Sequence, residues 1–179
     1  MRKLTHPEIK SQRKQLCDID KYNRNPIYGL CDNIRSIFNV GAIFRSSDGA
    51  FIEKLFLTGY TPYPPRKEID KVALGATLSV PWEYRKDPVE VINELKSKGI
   101  KICVVEITDN NNLLWDIKKE DFPVCIVVGN EITGISKEII SLADTSIEIP
   151  MLGMKQSLNV SVAYGIAVYE MVRKCCYDK

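Results

Sequence analysis

The chain has 179 residues, 45% apolar and 27% charged, with 25 Lys and Arg against 23 Asp and Glu. That length supports one well-buried core rather than two comfortable domains, and the composition excludes a disordered chain. No apolar run approaches the ~20 residues of a membrane-spanning helix.

The amino-terminal residues carry no apolar secretory stretch. None of the six cysteines forms a C-x-x-C pair, so a reduced, cytoplasmic protein without a zinc cluster or disulfide framework is expected. His6 is the single histidine, which argues against a core histidine base and against a metal site.

Residues 1–24 hold seven Lys or Arg and three acids. They read as a basic extension that could contact a polyanion through residues such as Arg13 and Lys14, or as a solvated terminus. Residues 25–179 read as one domain. Pro26–Cys31 is predicted as a strand, Val40–Phe51 as a helix and Lys54–Thr58 as a strand. Three prolines make 61–65 a loop. A short helix at Glu68–Leu74 and a strand near Val80–Tyr84 follow. Pro88–Lys98 is a helix with Gly99 at its end.

Ile100–Ile107 is a strand, and 109–112 is a turn cluster. Val124–Val128 is apolar at every position, the mark of a strand buried on both faces of a parallel sheet. Ser136–Ala143 is a helix and Ser146–Ile149 a strand. The alternation predicts a three-layer α/β sandwich with a mainly parallel sheet. The last helix, from Ser157, carries no charge before Glu170. It must be covered all round, by its own chain or by a second subunit.

Three polar clusters interrupt this pattern. The first is Asn39-Val40-Gly41-Ala42-Ile43-Phe44-Arg45, with Asn39 a candidate helix cap. The second is Gly129-Asn130-Glu131-Ile132-Thr133-Gly134, after the most apolar strand. The third is Ile149-Pro150-Met151 through Ser157-Leu158-Asn159-Val160-Ser161, with Ser157 a candidate cap. Neither a dinucleotide fingerprint nor a P-loop occurs. Taken singly, the first cluster also reads as a snorkelling surface arginine at Arg45, and the second and third as local turn and capping chemistry.

Together and in this order, the clusters resemble the SPOUT superfamily, in its tRNA and rRNA ribose 2′-O-methyltransferase branch, nearest in look to the tRNA guanosine 2′-O-methyltransferases. The resemblance implies a C-terminal trefoil knot, S-adenosyl-L-methionine as cofactor, and a homodimer joined through the knot and final helix. It implies catalytic roles for Arg45, Asn39, Glu131, Ser157 and Asn159. It places the cofactor against Val105, Glu106, Val128, Gly129, Asn130, Ile149, Pro150, Met151, Ser157 and Leu158.

RNA would then meet Arg35, Tyr60, Tyr63, Arg66 and Lys67, with Arg13 and Lys14 of the basic arm. A tRNA substrate is expected first and rRNA second. The alternatives are a non-catalytic RNA-binding or assembly factor that keeps the fold, and a SPOUT enzyme that methylates a base.

Overall fold

The computed structural model describes residues 1–110 and 112–178. Asn111, in the expected turn cluster, lies outside the described residues. In chain order the elements are α1 (His6–Ser11), β1 (Asn25–Asp32), α2 (Ile37–Ala50), β2 (Ile52–Thr58), α3 (Lys67–Ala73), α4 (Ala76–Ser79) and β3 (Trp82–Arg85). There follow α5 (Pro88–Ser97), β4 (Lys101–Val105), β5 (Val124–Val128), α6 (Lys137–Leu142), β6 (Thr145–Ile147) and α7 (Val160–Val172).

The six strands form one sheet in the order β3-β2-β1-β5-β4-β6. Every pairing is parallel, so the sheet is wholly rather than mainly parallel. Such a sheet needs cover on both faces, and the side chains supply it by simple alternation. Ile27, Cys31, Cys103, Val124 and Ile126 point into a core shared with α2, α3, α4 and α7. Leu30, Ile102, Val104, Cys125 and Val127 point into a second core under α5 and α6. The result is helices, sheet, helices.

Local chemistry sets the element ends. Helix α2 is capped by the Ser36 hydroxyl, which accepts from the Asn39 N–H at 3.4 Å, and not by Asn39 as the sequence suggests. Asp87 caps α5 ahead of Pro88. Beyond α5, Gly99 takes a φ of 74°. Its N–H donates to Lys96 and that of Ile100 to Leu95, the paired bonds of a glycine-terminated helix. Helix α7 starts at Asn159, whose side-chain oxygen accepts from Ser161 and Val162. The expected cap, Ser157, lies two residues upstream in the loop.

Residues 14–24 lie near the amino ends of β1 and β2. Ile19 is buried, Arg24 donates to the Ser79 carbonyl at 2.8 Å, and Lys14 sits 4.5 Å from the Phe51 ring centroid. Lys14 is therefore at the end of the sheet opposite the loops that follow the strands.

Helix α7 is covered on one side only within this chain. Tyr164, Ala167, Val168 and Met171 are buried, while Val162, Ile166 and Tyr169 are 49%, 40% and 52% exposed. Among the described residues no helix is long and apolar enough to cross a membrane.

Candidate active site

The sheet runs outward from β1 in both directions, so β1 and β5 are neighbours whose following loops diverge. Ligands in open parallel sheets collect at the carboxyl ends beside such a point. Here the loops after β1 and β5 are joined through one carboxylate. Glu131 accepts from the Arg35 N–H at 2.8 Å, the Ser36 N–H at 2.9 Å and the Asn39 amide at 2.8 Å. Burial by itself would raise the Glu131 pKa, but these donors outweigh it and hold the carboxyl below its ordinary range.

The network continues into the final helix. The Asn159 amide donates to the Asn39 side-chain oxygen at 3.1 Å, while the Asn159 oxygen caps α7. One residue from each cluster therefore takes part: Asn39, Glu131 and Asn159. Ninety-two and 120 residues separate Asn39 from its two partners, so tertiary structure alone brings them together.

The Asn130 side chain is held just as firmly. Its oxygen accepts from Ile132 and Thr133 at 2.8 and 3.0 Å. Its amide donates to the Asn33 carbonyl at 2.9 Å and to the Tyr60 hydroxyl. The Asn130 backbone exchanges two bonds with Gly134. Asn130 thus builds the turn rather than presenting a free amide. Gly129 is needed beside it, since an added Cβ would stand 2.5 Å from the Gly134 carbonyl carbon and the Ile135 nitrogen.

Next to this network, over the carboxyl ends of β4, β5 and β6, lies a cavity of about 300 Å³, within the usual range for small-ligand pockets. Val105, Glu106, Val128, Gly129, Asn130, Ile149, Met151, Ser157 and Leu158 line it, together with Glu131 and Asn159. Pro150 is not on its wall. The sequence reading missed Glu148, Gln156 and Ala163, which also line it. A charge between Ile147 and Ile149 at a strand exit was the available signal for Glu148.

Two expected residues stand apart. Arg45 is exposed on α2 and does not line the cavity. Tyr63 stacks on Tyr84 at 4.2 Å between centroids, so one ring face is already covered. Tyr60 is 61% exposed and keeps its ring open while its hydroxyl meets Asn130. Arg35, Arg66 and Lys67 are also exposed, around the same loops.

Comparison with known proteins gives a consistent result. The SpoU rRNA Methylase family matches residues 26–169. A tRNA (guanosine(18)-2′-O)-methyltransferase of Aquifex aeolicus is 32% identical over 93% of this chain and 78% of its own length. The Escherichia coli enzyme of the same name is 32% identical over 84% of this chain, which spans only 65% of that relative.

Among solved structures, a TrmH/SpoU tRNA modifying enzyme of A. aeolicus superposes with a TM-score of 0.79 at 30% identity, covering 94% of this chain and 82% of that one. The methyltransferase AviRb of Streptomyces viridochromogenes, solved with AdoMet, superposes with a TM-score of 0.77 at 25% identity, covering 87% and 64%. With its three clusters bonded around one pocket and the family's pattern running through most of its length, the chain belongs to the SpoU rRNA Methylase family.

Proposed function

We propose that this protein transfers a methyl group from S-adenosyl-L-methionine to a ribose 2′-hydroxyl of RNA, with a guanosine of tRNA as the first substrate and rRNA as the second. The observation that carries the proposal is the Glu131–Asn39–Asn159 network. It fixes the edge of a cofactor-sized cavity with one side chain from each cluster. The A. aeolicus and E. coli relatives are named for this reaction.

The cavity suits the cofactor. Gly129 lets the backbone approach closely, Leu158, Val105 and Ile149 give apolar walls, and glutamates supply negative charge. When bound, the cofactor supplies a methyl group already activated by a sulfonium. What the chain's own residues must do is hold the loops, orient the ribose and manage one proton. Holding two reactants in line supplies several kcal/mol of rate acceleration. Glu131 and Asn39 hold the β1 loop against the β5 loop, and Asn159 ties both to α7. Ser157, on the cavity wall, faces the same space.

Arg45 is assigned to the RNA side of the reaction. A guanidinium keeps its proton at any working pH. Its role is therefore to clamp a phosphate and lower the energy of the forming alkoxide, while phosphate or water takes the proton. Arg45 is exposed on α2, and the next residue, Ser46, has its hydroxyl facing Gly165 of α7. The open apolar face of α7 fits a homodimer in which Arg45 is presented across the interface to the second cavity. Arg35, Tyr60, Arg66 and Lys67 frame the RNA approach, with Tyr63 offering one ring face. Lys14, at the far end of the sheet, and Arg13 could reach only a distant part of a long RNA.

We further propose that the chain past β6 is threaded to form a trefoil knot. Leu114 donates to Glu148 at 3.0 Å and Glu148 to Asn112 at 2.8 Å, so the β4–β5 connection runs beside the β6 exit. Helix α7 then packs against the Leu114–Asp116 turn. Six free cysteines fit a cytoplasmic protein.

The test is transfer of labelled methyl to unmodified tRNA and, separately, rRNA, followed by nucleoside analysis. A 2′-O-methyl nucleoside is expected, with Arg45→Ala slower by about a hundredfold or more. A methylated base would refute the ribose assignment. Cofactor binding without transfer to either RNA would favour a non-catalytic factor.

A further inference from the structure

The cavity carries an electrical imbalance that methyl transfer alone does not require. Three glutamates line it, Glu106, Glu131 and Glu148, and among the described residues no Lys, Arg or His does. Elsewhere acids are commonly paired. Glu8, Glu83, Glu94 and Glu170 and four aspartates form the ion pairs among the described residues, and no cavity glutamate joins them.

The three acids are not equivalent. Glu131 is committed to the loop N–H groups of Arg35 and Ser36 and to Asn39. Glu106 is aimed by the backbone, since it accepts from Ile135 at 3.0 Å and from Ile107 at 3.1 Å, beside Gly134. Glu148 is held only through its main chain, by Asn112 and Leu114. Its carboxylate has no hydrogen-bond partner among the described residues.

We infer that Glu106 and Glu148 read the charge of the ligand in this cavity, favouring the cationic methyl donor over its uncharged product and so promoting exchange after each transfer. The inference rests on the proposed cofactor reading. The donor carries a sulfonium, an ammonium and a carboxylate, a net charge of +1. In the reaction the methyl carbon–sulfur bond breaks and its electron pair stays on sulfur. The carbon–oxygen bond forms, and the ribose proton leaves to phosphate or water. The product keeps the ammonium and carboxylate only, a net charge of zero.

Two unneutralised carboxylates attract the first species more than the second. The same field resists discharge of the sulfonium, so it acts on loading and release and does not speed the chemical step. Glu148 and Glu106 are thus specificity residues, separate from the residues that handle the ribose proton.

The test is calorimetric binding of three probes to the full chain: S-adenosylmethionine, S-adenosylhomocysteine, and sinefungin, whose amine replaces the sulfonium with another cation. Glu148→Gln is the main variant, since no side-chain bond is lost. Glu106→Gln keeps one acceptor oxygen. Glu138→Gln, on exposed α6, makes the same change in net charge outside the cavity.

Each cavity variant is expected to weaken both cations about threefold to tenfold while leaving S-adenosylhomocysteine unchanged, and Glu138→Gln to alter none. Equal weakening of all three probes, or an unchanged preference, would overturn the inference and leave the cofactor reading intact. If no probe binds the parent protein, the cofactor reading itself fails.

Discussion

Glu131 is a surface carboxylate by exposure and a structural anchor by its bonds. Burial pulls its pKa up, and three donors pull it further down. A folded-state pKa below the unfolded value stabilises the docked loop above the ordinary carboxylate range. That contribution is lost as pH falls through the lowered value. Acid titration followed by NMR should therefore show the Arg35 and Ser36 amide protons shifting together, with a midpoint below the ~4.3 of a free glutamate.

Glu131→Gln keeps one acceptor and sets an NH₂ against N–H groups. It is expected to cost about 1–3 kcal/mol in denaturant unfolding and to remove that titration. Asp32, nearby in the sheet, behaves oppositely. It is almost fully buried, and burial raises its pKa despite help from the Ser136 N–H and the Asn33 amide. The thiol of Cys103 is likewise pushed up to about 12 by burial, so it packs as a small hydrophobe and is poorly reactive.

At the scale of elements, the turn after β5 is the most exacting piece. Gly129 faces backbone on its open side, which cannot retreat as a flexible side chain would. Gly129→Ala is expected to lower stability by about 2 kcal/mol or more and to abolish cofactor binding, read by thermal shift with and without ligand. Gly153, with open space around it, is the control, and Gly153→Ala should bind normally.

Most elements were legible from their pattern. The apolar run Val124–Val128 gave the central buried strand, and Gly99 the end of α5. The two displaced caps show what pattern cannot supply. Ser36 and Asn39 are both good caps on paper, and so are Ser157 and Asn159. The choice falls to Ser36 because Asn39 is drawn to Glu131 and Asn159. It falls to Asn159 because its amide reaches Asn39 while its oxygen faces the helix. Those partners are about a hundred residues distant, so no local window contains them. For the same reason Tyr60 read as a base-stacking residue, while its bond to Asn130 appeared only in three dimensions.

On the scale of the whole molecule, the open face of α7 is the surface through which the proposed homodimer would form. Its apolar sequence demanded cover on every side, and the single chain covers one. Helix–helix burial across a two-fold axis is the simplest completion. Ile166→Glu places a charge at the centre of the open strip. It is expected to yield a folded monomer by light scattering, with circular dichroism unchanged and methyl transfer lost because Arg45 no longer reaches a cavity. A parent protein that runs as a monomer would remove the basis of that assignment.

The bond between Ser47 and Tyr164, 2.8 Å long, spans 117 residues. Tyr164 also lies under Gly29, where an added Cβ would meet its hydroxyl at 2.7 Å. The first strand and first long helix are therefore sealed by a segment synthesised more than a hundred residues later. Until that segment emerges, the face of β1 and α2 beneath it is bare apolar surface, exposed to solvent and to neighbouring nascent chains. Synthesis at ~5–20 residues per second leaves that surface open for several seconds. A nascent chain stalled before Gly153 should bind holdase chaperones, and one carried past Asp178 on a linker long enough to clear the exit tunnel should release them.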